Sequence, residues 1–157
     1  MSKSNIFNFI FILFIFLFDR FTKIVILNIS EKFENYVFEV TSFLSFSLIW
    51  NDGIAFGLLS FDDKSLYNFL TTLIILIILF IFFILIKSKG LEKIGFGMVL
   101  GGSLGNVFDR LLYSQVPDFI DLHYNNFNWF IFNVADIFIT LGILLLIYLE
   151  IFKKENV

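Results

Sequence analysis

The stretch GGSLGNVFDR at residues 101–110 anchors the reading of this chain, together with LLYSQV at 111–116, PDFIDLH at 117–123 and FNVADIFITLG at 132–142. It sets Asn106, Asp109, Arg110, Asp118, Asp121, Asn133 and Asp136 beside or within apolar helical sequence, in a protein that is 59% hydrophobic. Carboxylates near hydrocarbon are costly to bury, so their presence needs a reason. Two acids sharing one catalytic water would supply it.

The chain around this window has 157 residues and only 16% charged side chains. Soluble domains carry about 25% charged residues, so the composition is that of a membrane protein. Four spans of roughly 20 residues would use about half the chain, leaving room for a single domain, 1–157. The formal net charge of −3 comes without a basic patch, so nucleic acid is not an expected partner. With no cysteine, disulfides and thiolate chemistry are excluded, and a single histidine argues against a zinc site or a Ser-His-Asp arrangement.

Asn5 to Phe18 is a nearly continuous apolar run, followed by DRFTK at 19–23 and a second apolar run, Ile24 to Ile29. Fourteen helical residues reach only about 21 Å, short of a hydrocarbon core of about 30 Å, so the first span is expected to continue past Asp19, over about 5–28. DRFTK reads either as a stop-transfer flank or as a source of polar contacts, with Asp19 and Lys23 one turn apart on one face. Residues 30–65 form the expected extramembrane segment, strand-like from Tyr36 to Trp50 and followed by NDGIAFG at 51–57. Further spans are expected at about 66–86, 91–112 and 132–152. The third carries Gly97, Gly101 and Gly105 at four-residue spacing, a stripe that admits a neighbouring helix. Asn133, Asp136 and Thr140 share one face at the start of the fourth. The resulting expectation is an all-α membrane protein with four transmembrane helices and a small β-like cradle between the first and second. Lys3, Lys87, Lys89, Lys93, Lys153 and Lys154 then fall on one side, which puts both termini in the cytoplasm. Asp19, Asp109, Asp118 and Asp136 gather at the opposite face.

Two carboxylates close enough to share a proton resist double ionisation. The ionised one draws a proton from water while its protonated partner hydrogen-bonds a substrate carbonyl, which needs neither metal nor cofactor. Spacing leaves Asp118, Asp121 or Asp109 open as the partner of Asp136, and does not tell which acid is ionised. Asp109 also reads as a structural group bound to Arg110 or Asn106, and Asp121 and His123 as solvated loop residues.

Five ordered blocks, DRFTK, NDGIAFG, GGSLGNVFDR, VPDFID at 116–121 and FNVADIFITLG, resemble the lipoprotein signal peptidase (signal peptidase II) family over nearly the whole chain. The resemblance implies a four-helix aspartic endopeptidase of the bacterial inner membrane, with its active site near the periplasmic face. Such enzymes cut prolipoprotein signal peptides before a diacylglyceryl-modified cysteine. It implies Asp118 and Asp136 as the catalytic pair, with Asp19, Lys23, Asn51, Gly53, Asn106, Asp109, Arg110, Asn133 and Ala135 as substrate-binding or supporting positions. It also implies that segment 36–50 cradles the substrate, that membrane lipid is a partner, and that a globomycin-like cyclic peptide inhibits. Arg20 and Pro117 depart from the family pattern, which favours Gln and a branched aliphatic residue there. A small proton-coupled transporter using intramembrane aspartates is the competing reading, and a non-catalytic scaffold a weaker one. The chain shows no internal repeat of the kind transporters carry, and its acids gather at one end.

Overall fold

The computed structural model describes residues 3–33, 36–53, 64–124 and 127–152. In chain order these form α1 (Lys3–Lys32), β1 (Val37–Thr41), β2 (Leu44–Asn51), α2 (Lys64–Lys87), α3 (Gly90–Tyr113), β3 (Val116–Tyr124), β4 (Phe127–Phe132) and α4 (Val134–Ile151). Two stretches, Tyr67–Lys87 in α2 and Val134–Ile151 in α4, are long and apolar enough to cross a membrane. Helices α1 and α3 are as long or longer but carry ionic groups within their length.

Most of those ionic groups, Asp19, Arg20, Lys23, Lys93, Asp109 and Arg110, are buried. Asp19, Lys23 and Asp109 are completely buried, whereas Phe7, Phe21, Phe69 and Leu111 are each more than 60% exposed. Among the described residues, buried polar and charged side chains are as numerous as buried hydrophobic ones. An apolar outside around a polar inside is inverted for water and suits hydrocarbon.

Helix α3 is the axis of the bundle. Its glycines let neighbours approach so closely that a Cβ on Gly101 would meet Ile15 of α1 at 2.9 Å, and one on Gly102 would meet the Ala135 carbonyl of α4 at 2.5 Å. The small-residue stripe therefore serves two different neighbours. An apolar cluster of Ile78, Leu85, Leu100 and Val107 fastens α2 to α3.

The chain is not all-α. A four-stranded antiparallel sheet runs in the order β1-β2-β3-β4. The expected strands at 36–50 are present as β1 and β2, but the segment after α3 adds β3 and β4 in place of the loop the sequence led us to expect. Cross-strand pairing supplies what VPDFIDLHY lacks on its own: Ile49, Trp50 and Asn51 of β2 lie opposite Asp118, Pro117 and Val116. Pro117, near the start of β3, has no amide N–H to give a neighbouring strand. Phe119, Val134 and Ile26 form an apolar cluster joining sheet, α4 and α1. Of the expected spans, the first reaches Lys32 and the last begins at Val134, two residues late because Asn133 caps it. Gly57 lies outside the described residues.

Candidate active site

The site is built at the start of α4. Asn133 has extended backbone, and its side-chain oxygen accepts from the Asp136 N–H at 3.2 Å. The Asp136 carboxylate in turn accepts from the Asn133 N–H at 3.1 Å. This reciprocal cap satisfies two backbone donors and leaves the Asn133 amide nitrogen free to point elsewhere. It donates to Asp118 Oδ1 at 2.5 Å. One asparagine thus holds two carboxylates that are eighteen positions apart in the chain, Asp136 by its backbone N–H and Asp118 by its side-chain nitrogen.

Each acid is also held from its far side. Asp118 Oδ2 accepts from Asn51 Nδ2 at 2.8 Å, and Asn51 Oδ1 accepts from the Gly53 N–H at 2.9 Å in a local turn. Asp136 Oδ1 accepts from Asn106 Nδ2 at 2.9 Å. The orientation of the Asn106 amide is chemically fixed, because its oxygen accepts from Lys23 Nζ at 2.9 Å and an ammonium can only donate.

Behind this pair lies an ionic cluster. Lys23 Nζ reaches Asp19 at 2.9 Å and Asp109 at 2.7 Å. Arg20 grips both oxygens of Asp109, at 2.5 and 2.7 Å, and its guanidinium lies 5.1 Å from the centre of the Phe108 ring. The remaining oxygen of Asp19 accepts from the Ala135 N–H at 2.9 Å, another unsatisfied donor of the first turn of α4. Two acids and two bases cancel, so burial of this cluster leaves no net charge. Arg110 donates to the Gly53 carbonyl at 2.9 Å and to the Asn106 carbonyl at 3.3 Å, tying the 51–53 turn to α3.

All eleven residues named from the sequence fall in this one connected network. Asp118, Asp136, Asn51, Asn106 and Asn133 form its acid-and-amide half. Asp19, Lys23, Asp109, Ala135, Arg110 and Gly53 hold it in place. The expected partners of Asp109 were wrong: it pairs with Arg20 and Lys23, not with its neighbour Arg110, which faces another way. DRFTK is no simple flank, since Asp19, Arg20 and Lys23 are all buried in the network. Asp121 lies three positions from Asp118 on a strand, where alternation turns it to the other face. There it accepts from Ser45 at 3.4 Å, with His123 Nδ1 at 3.7 Å, so both are partly buried strand residues and not solvated loop residues.

The sequence reading missed two features. Arg20 was seen only as a departure, although its place beside Asp19 was a signal. Tyr67 and Thr71, one turn apart near the start of α2, are both buried, with Tyr67 within electrostatic reach of Arg110. Their spacing was legible, but the apolar run around them hid it.

Electrostatics separates the acid pair from ordinary carboxylates. Burial, and then the charge of Asp136, push the Asp118 carboxyl up to about 6, against the stabilising bonds from Asn51 and Asn133. Arg110 lies within electrostatic reach of both acids. An apolar groove of about 250 Å³ adjoins the pair, running from Asp136 along Phe132, Ile137, Thr140 and Leu141, and a separate one of about 260 Å³ lies between α1 and the sheet beside Phe46 and Phe119.

The fold is similar to that of two solved bacterial membrane enzymes. Each superposes with a TM-score of 0.75, at 28% identity over 95% of this chain and 90% of the other, and at 30% over 94% and 93%. The family is more specific. A model described as signal peptidase (SPase) II matches residues 11–152. The lipoprotein signal peptidase of Pelagibacter ubique is 48% identical over 99% of this chain and 98% of its own length, and that of Aquifex aeolicus 42% identical over 89% and 83%. The chain belongs to the signal peptidase II family.

Proposed function

We propose that this protein is an aspartic endopeptidase of a bacterial inner membrane that removes signal peptides from prolipoproteins, cutting before the diacylglyceryl-modified cysteine. The observation that carries the catalytic assignment is Asn133 holding both carboxylates, Asp118 through its side-chain nitrogen and Asp136 through its backbone N–H. The two acids share one proton. The ionised carboxylate takes a proton from the attacking water, and the protonated one hydrogen-bonds the scissile carbonyl as its oxygen gains charge. Collapse of the tetrahedral intermediate breaks the C–N bond, and the departing cysteine amine takes a proton from the pair.

All four helices span the bilayer in this reading, in a single membrane-embedded domain with both termini cytoplasmic and the acids near the periplasmic face. The inverted burial pattern supports it, because Asp19, Arg20, Lys23, Asp109 and Arg110 face inward, where opposite charges and the acid pair neutralise them. The four-stranded sheet lies over the outer interface as the cradle. The groove along α4 suits an apolar signal helix, and the groove beneath the sheet suits acyl chains of the modified cysteine. A globomycin-like cyclic peptide would occupy the same surface.

The test uses purified protein and a lipidated prolipoprotein peptide. Asp118→Asn and Asp136→Asn are each expected to abolish cleavage while the protein stays folded in detergent, and chelators to leave wild type active. Cleavage surviving Asp118→Asn but lost in Asp121→Asn would overturn the assignment of the pair.

A further inference from the structure

At the opposite end of the bundle from the acid pair, α1, α2 and α3 enclose a second cavity, of about 220 Å³. Its polar end holds Lys93, in the first turn of α3, and Asn8, in the second turn of α1. Lys93 is only 8% exposed and Asn8 only 3%. Removing an ammonium from water costs several kcal/mol unless an anion replaces the lost hydration. Among the described residues, Lys93 has no carboxylate partner. Its one hydrogen bond there goes to a neutral acceptor, Asn5 Oδ1, at 2.5 Å. Asn8 Nδ2 is buried without a hydrogen-bond partner. An amide hydrogen and a buried cation therefore face the same space with acceptors still owing. The start of α3 lies at this end as well, its partial positive charge offset by Glu92 in the first turn, so the site rests on Lys93 and Asn8.

The rest of the wall is apolar: Phe9, Ile12, Phe82, Leu85 and Ile86. These run along the helix axes away from the polar end, over roughly 10 Å between Asn5 and Ile12. A small inorganic anion would leave that wall uncovered, and a neutral acyl chain would leave Lys93 and Asn8 unanswered. An amphiphile with an anionic head answers both.

We propose that this cleft binds one anionic phospholipid of the cytoplasmic leaflet, its phosphate on Lys93 and Asn8 Nδ2 and an acyl chain along Phe9, Ile12, Phe82 and Ile86. Lys87 and Lys89, at the same end, add to the attraction of that leaflet. Such a site requires that the chain span the bilayer, but does not require peptidase activity. Cleavage assays on the same samples report on that activity separately.

The experiment is native mass spectrometry and thermal unfolding of the purified full chain in a neutral detergent, with dioctanoyl phosphatidylglycerol, dioctanoyl phosphatidylcholine or sodium phosphate added. Phosphatidylglycerol is expected to bind saturably as one molecule per chain and to raise Tm more than phosphatidylcholine, with phosphate alone giving no rise. Lys93→Met is expected to weaken phosphatidylglycerol binding roughly fivefold or more. Ile86→Trp, at a position exposed in the native fold, fills the groove without touching Lys93 and is expected to weaken it as well. Equal binding of the two lipids, unchanged phosphatidylglycerol binding in both variants, or a phosphate effect equal to that of the lipid would each overturn the site.

Discussion

Asn133 carries two separable duties, and substitution can divide them. Its oxygen caps α4, while its nitrogen donates to Asp118 at 2.5 Å. Loss of a cap costs about 1 kcal/mol, and loss of a hydrogen bond to a charged group about 1.5–3 kcal/mol. Asn133→Ala loses both, so its stability should fall by about 2.5–4 kcal/mol. Asn133→Asp keeps a good cap acceptor but puts a third carboxylate where the donor stood. Its stability at low pH should stay within about 1 kcal/mol of wild type, because the introduced carboxyl, once protonated, both caps and donates. Near pH 7 it should lose roughly 10- to 150-fold in kcat/KM, the loss equivalent to one charged hydrogen bond. As pH falls and the new carboxyl takes a proton, part of that loss should return. Thermal unfolding and cleavage of a lipidated prolipoprotein peptide between about pH 4.5 and 8 measure the two duties side by side. Wild-type kcat/KM for Asn133→Asp at pH 7 would refute the bridge, as would Asn133→Ala that is destabilised but catalytically intact.

Lys23→Met removes one of two cations from a fully buried cluster and strands a carboxylate, so a loss of about 3–5 kcal/mol is expected in thermal unfolding. Adding Asp109→Asn should recover part of it, and strictly additive losses would show that the two groups are not coupled. The alkaline limb of kcat/KM should lie above the ordinary carboxylate range, because burial and the neighbouring acid hold the pair's last proton. Asn51→Ala deletes a bond that favours the Asp118 anion, so the carboxyl should titrate higher and the limb should move to higher pH; movement to lower pH would contradict that role. Gly105→Ala puts a methyl group 2.5 Å from Asp19 Oδ2, which should cost about 1–3 kcal/mol and reduce activity together, as read by Tm and peptide cleavage.

Whatever depends on neighbours along the chain was legible in the amino-acid order. Apolar runs long enough for helices and the Asp19–Lys23 pair one turn apart are local patterns, and each appears where its spacing put it, whereas Asn133, read as part of the fourth helix, caps it from outside. Which acid stands near Asp136, and what holds Asp109, emerged only when the elements packed together. Arg20 and Lys23 meet Asp109 from 89 and 86 positions away, and no periodicity encodes that distance. VPDFIDLHY reads as a polar loop because its backbone donors find partners only once β2 and β4 lie alongside it. That pairing turns Asp118 towards Asn133 and Asp121 away, a choice made by strand alternation and not by composition.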